Sequence, residues 1–147
     1  MSLRWMHRYR ALLLVAVVLA TAAGHGAAFA YAAKPSDTVR LTIDYGDDVK
    51  KQFTRLAWSK GMSVLDALQA AARHPRGIRF EHRGAKATVF VVSIDDLENG
   101  GGGKNARNWT FRVNGSLAKQ SAALTRLQPG DKITWKYADL SELRPAK

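Results

Sequence analysis

Apolar and polar positions alternate at period two along residues 39–45, where Val39, Leu41, Ile43 and Tyr45 share one side, and this spacing predicts a β-strand. Gly46, Asp47 and Asp48 supply a turn, and alternation resumes over residues 51–58, so the two segments read as a hairpin. The pattern leaves open whether Phe53 or the set Thr54, Leu56 and Trp58 faces inward. At residue 63 the period changes. Val64, Leu65, Leu68, Ala71 and Ala72 fall on one helical stripe. Ser63 with Asp66 matches a capping box, in which the hydroxyl accepts an orphan backbone N–H and the carboxylate sits in the positive first turn. His74 ends this helix, because the residue before Pro75 is pushed out of the α region.

Residues 78–82 form a short strand candidate, and residues 88–94 are β-branched and nearly all apolar, which suits an inner strand. Between residues 95 and 107 the glycine run Gly100 to Gly103 predicts an exposed, flexible loop. Trp109, Phe111 and Val113 then alternate along a strand that runs into Asn114-Gly115, a hairpin signal because both positions tolerate positive φ. Turn chemistry recurs at residues 127–131, followed by Ile133, Trp135 and Tyr137 on one face of a last strand. The count is about five or six short strands and one helix of about ten residues. A single amphipathic helix covers only one face of a sheet. The expected architecture is therefore α+β, a mixed sheet of about five strands packed on one helix in the manner of the β-grasp (ubiquitin-like) fold.

Length and composition narrow the chemistry. The 147 residues make one domain, 46% of them hydrophobic, so the chain is expected to pack a core. There is no cysteine, which excludes disulfides, thiolate metal sites and a cysteine nucleophile. Arg4, Arg8 and Arg10 precede an uncharged apolar run over residues 11–23. That run is shorter than the ~20 residues a membrane-spanning helix needs, and Ala28-Phe29-Ala30 offers small residues for a signal peptidase. Residues 1–30 are read as a signal peptide forming an N-terminal signal helix, with an uncleaved anchor as the alternative. Residues 31–38 are a linker, 39–138 the domain and 139–147 a tail. The net charge of +11 loses only those three arginines with the leader, so the exported chain, periplasmic, extracellular or membrane-anchored, stays basic. Nucleic acid is not expected as its partner; anionic envelope polymers or lipid headgroups are.

Four stretches taken together resemble a known family: Gly61-Met62-Ser63-Val64-Leu65-Asp66-Ala67-Leu68, then Ser93-Ile94-Asp95, then Asn108 to Gly115 with its W-x-F-x-V-N-G pattern, then Leu127 to Tyr137 with G-D-x-I-x-W-x-Y. They are similar to the transcobalamin C-terminal-like domain family, small β-grasp modules of exported bacterial proteins that also form the C-terminal domain of animal cobalamin carriers. The resemblance spans residues 39–137. It implies a β-grasp fold and a corrinoid-like ligand. In the animal carriers a larger helical domain clasps the corrinoid together with this module, so here a second protein is expected to complete the site.

Candidate binding residues cluster near the Asn114 hairpin. Trp109 and Phe111, with Trp135 and Tyr137, either form an aromatic platform or point into the core; Trp109, at the start of its strand beside a polar loop, is expected to stay half exposed. Asn105, Asn108 and Asn114 add amide donors and acceptors, although Asn114 also serves as a positive-φ turn residue. Asp95, Asp96 and Glu98 with Asn99 lack the spacing of a calcium loop and read as solvated acids, and His74 and His82 make no zinc signature, so no metal is expected. No catalytic motif is present, and an enzyme is not expected. Arg73, Arg76, Arg79, Arg83 and Lys86 concentrate positive charge against Glu81 alone, either as a docking patch for anionic polymer or as a solvated face.

The leading expectation is an exported, non-catalytic module that binds a small ligand or an envelope protein through Trp109, Asn108, Asn114, Asn105 and Phe111. The second is a basic structural or adhesive envelope protein, held at a membrane or cell surface by its N-terminal segment or the patch from Arg73 to Lys86.

Overall fold

The computed structural model describes residues 37–103 and 105–139. The leader, most of the linker and nearly all of the tail expected at the two ends lie outside the described residues. Among those described, no helix is long and apolar enough to cross a membrane.

The first hairpin forms where alternation places it. β1 (Thr38–Asp44) buries Val39, Leu41 and Ile43, and β2 (Lys50–Ala57) buries Phe53 and Leu56. Those two β2 residues are three apart, which strict alternation forbids. The register explains it: Val39 faces Leu56 and Leu41 faces Phe53, so two β2 residues, Thr54 and Arg55, oppose Arg40 alone. This bulge turns one residue from each of the two competing inward sets toward the core.

Helix α1 (Val64–Ala72) starts on the complete capping box: Ser63 Oγ accepts from Asp66 N–H, and the Asp66 carboxylate accepts from Ser63 N–H. The next orphan donors are met by a later loop, with Val64 N–H donating to Thr125 O and Leu65 N–H to Ala122 O. Val64, Ala67, Leu68 and Ala71 are buried. They join a single core with the buried residues of β1 and β2 and with Phe111, Ile133 and Trp135 further along the chain.

Among the described residues eight strands form two sheets, more strands than the alternation pattern shows, because β5 (Leu97–Glu98) and β7 (Ser116–Leu117) are too short to have a period. The larger sheet runs β2-β1-β8-β6-β7, with β6 (Asn108–Val113) and β8 (Lys132–Ala138) antiparallel and β1 parallel to β8 at the centre. The smaller runs β3-β4-β5, with β3 (Phe80–Arg83) and β4 (Phe90–Ile94). The molecule is thus a mixed α+β domain dominated by strands, with one helix among the described residues. The apolar run at residues 88–94 is not uniformly covered: Lys86–Thr88 forms a short 3-10 turn and Phe90 is 54% exposed.

Two clasps hold these layers. Asn99 donates from Nδ2 to Val91 O and accepts from Trp109 N–H at Oδ1, tying β4 to β6. Arg107 donates to Gly46 O at 2.8 Å and Tyr137 O at 2.9 Å, with its guanidinium 5.0 Å from the Tyr137 ring centroid. Gly46 sits at φ +77, and a Cβ there would lie 2.4 Å from Tyr137 O, so only glycine lets the first turn approach β8 this closely.

Candidate binding cleft

Cross-strand register places Phe111 opposite Trp135 and Trp109 opposite Tyr137. The first pair of rings is 4.8 Å apart and the second 5.2 Å, and Tyr45 meets Trp109 edge-on at 6.0 Å. Phe111 and Trp135 lie at a cleft of about 360 Å³ that also touches Phe90 on β4, Leu117 on β7 and the 118–122 loop. Leu117 is 42% exposed, so apolar side chains remain open at this cleft as well as lining it. Trp135 Nε1 is buried and, among the described residues, donates to no acceptor. A buried donor without a partner costs about 1–3 kcal/mol. The lining is mostly apolar, as it is where small apolar molecules bind.

The expected site residues do not converge. Trp109 lines this cleft but is only 5% exposed, not half exposed: Leu97 O accepts from its indole Nε1–H and Asn99 from its backbone N–H, drawing the ring into the core. Phe111 lies in the cleft lining. Asn108 donates to Gly101 O and to Ala106 O, pinning the glycine loop. Asn105 stands in that loop at φ 67. Asn114, at φ 50, is consumed by its turn: it donates to Asp131 and accepts from Lys132 N–H. Phe90 and Leu117 carried no signal in the sequence, since nothing local shows that β4 and β7 border the same cleft.

The basic stretch also separates. All five of Arg73, Arg76, Arg79, Arg83 and Lys86 are exposed. Arg79 pairs with Asp96 at 2.7 Å, Arg83 lines a cavity beside Asn108 and Gly101, and Lys86 stands at φ 52 with its carbonyl accepting from Ser121 Oγ. Arg76 instead lines a groove of about 460 Å³ beside β2, with Lys50, Lys51 and Arg55.

Of the acids at residues 95–98, Asp96 and Glu98 are exposed, as expected, while Asp95 is tied into the scaffold. Asp95 accepts from Tyr45 Oη and from Arg79 N–H. Burial, then the hydrogen bond to Asp95, then that carboxylate's charge raise the Tyr45 phenol well above its ordinary range. Among the described residues no three His, Cys, Asp or Glu side chains come together as a metal site would require. His74 packs edge-on against Phe53 and His82 stacks on Phe80.

Among the described residues, two sheets and one helix define a small mixed α+β domain with an apolar cleft. The chain belongs to the DUF4430 family, a domain of unknown function, whose model matches residues 61–139. Among solved structures it is similar to the crystal structure of a "putative metal binding protein" from Ruminococcus gnavus ATCC 29149, at 15% identity and a TM-score of 0.52, covering 70% of this chain and 99% of that one. At that identity the likeness concerns the fold alone. No curated protein matches the chain.

Proposed function

We propose that this chain is an exported, non-catalytic module of the β-grasp type that holds a flat, largely apolar small ligand in the cleft over Phe111 and Trp135. The observation that supports this reading is the open apolar cleft lined by Phe90, Phe111, Leu117 and Trp135, the last with a buried indole N–H that has no partner among the described residues. The cleft's volume, about 360 Å³, is near the low end of the ~300–1,000 Å³ typical of small-ligand sites. A fused ring system fits such a space. A corrinoid, the ligand that the transcobalamin-like motifs imply, would enter by one edge, and a second protein would close over the rest.

The test is calorimetric titration of residues 31–147 with 5,6-dimethylbenzimidazole and with cyanocobalamin, alongside the Trp135→Phe variant. That substitution keeps the ring and removes the donor. Saturable binding that weakens about five- to tenfold in the variant is the expected result. Absence of saturation by either compound up to millimolar concentration, or unchanged affinity in the variant, would overturn the reading.

A further inference from the structure

We infer that the outer edge of β2 takes up an acidic, extended peptide from another protein as an added strand. β2 ends the larger sheet, and among the described residues no strand pairs with its far side. The groove there is lined by every residue from Lys50 to Leu56, with His74 and Arg76 across from them. Successive strand residues point to opposite faces, so a cavity touching all of them runs along the edge rather than over one face. An edge offers a row of backbone donors and acceptors at strand spacing, which is the template for strand addition.

Charge selects the partner. Lys50, Lys51, Arg55 and Arg76 line this groove. Lys50 is engaged by Asp44 at 3.3 Å, and Lys51 donates to Gly77 O at 2.6 Å, joining the strand to the opposite wall. No carboxylate among the described residues pairs with Arg55 or Arg76. A second copy of β2 would set lysines and arginine against their like, and the bulge at Thr54 and Arg55 bends the edge away from self-pairing. An acidic strand meets neither obstacle. Phe53 and Leu56 turn toward the core yet line the groove with apolar surface, so the fitting peptide alternates Glu or Asp with β-branched residues. An anionic polysaccharide would answer the cations but leave the backbone row unused.

Fluorescence anisotropy of a labelled peptide alternating Glu and Val tests this, with a version N-methylated at every second residue, the Arg55→Glu/Arg76→Glu variant, and polygalacturonate as competitor. The unmodified peptide should bind, lose about tenfold or more in affinity in the double variant, and slow amide hydrogen exchange along β2. Both effects should vanish on N-methylation. Equal binding of the methylated peptide, displacement by polygalacturonate at matched charge, or no binding at all would each overturn the proposal. Unchanged tryptophan fluorescence of the double variant shows that its fold is intact.

Discussion

The cleft over Phe111 and Trp135 and the groove beside β2 are two openings built in opposite ways. The cleft is core left uncovered: Trp109, Phe111 and Trp135 are buried hydrophobics whose rings hold β6 to β8, and any ligand touches side chains that the fold already needs. The groove is surface, made of exposed Lys50, Arg55 and Arg76 around a strand edge. The family model spans the whole lining of the cleft, whereas β1 and β2 precede its first matched residue. Binding and stability should therefore be inseparable in the first region and independent in the second.

The largest effect should come from Trp109→Ala, which removes a ring held by Leu97 O and packed on Tyr45 and Tyr137, and should lower unfolding free energy by about 3–5 kcal/mol in urea. A loss under about 1 kcal/mol would mean the ring is not structural and would break the contrast. Next is Ser63→Ala, at the end of α1 remote from His74, expected to cost about 1 kcal/mol while peptide affinity at the groove stays constant. A smaller effect depends on pH. The Tyr45 proton is held more tightly in the folded chain than in the unfolded one, where phenols titrate near pH ~10. Its stabilisation is complete below that value and is lost as pH rises above it, so urea midpoints should fall in strong alkali, and less steeply in Tyr45→Phe. Smallest is Arg55→Glu/Arg76→Glu, which should change stability by no more than about 0.5 kcal/mol. A larger loss would show that the groove is also structural.

Local chemistry was the legible part. The capping box at Ser63 and Asp66 is visible because both partners lie within one turn, and Asn114-Gly115 takes φ 50 and 82 as its turn demands. The bulge in β2 was hidden, since alternation alone presented Phe53 and Leu56 as rivals and only pairing with β1 turns both inward. Trp109 looked exposed because its polar loop did; the inward pull comes from Asn99 and Leu97, whose partners are set by tertiary contact. The basic stretch is continuous along the chain but spans a helix end, a strand and a 3-10 turn, which direct their side chains to different surfaces. Conversely Lys50, Arg55 and Arg76 are distant in sequence and meet around one opening.

The parallel pairing of β1 with β8 has a consequence for biosynthesis. These are the first and last strands described, and they sit at the middle of the larger sheet. A chain emerging end-first from a ribosome or a translocation channel can close its early hairpin and wind its helix, yet the central ladder must wait for the final strand. Until then the polypeptide stays unfinished and threadable, and a premature stop before Lys132 should leave material that proteases clear rather than a smaller working domain.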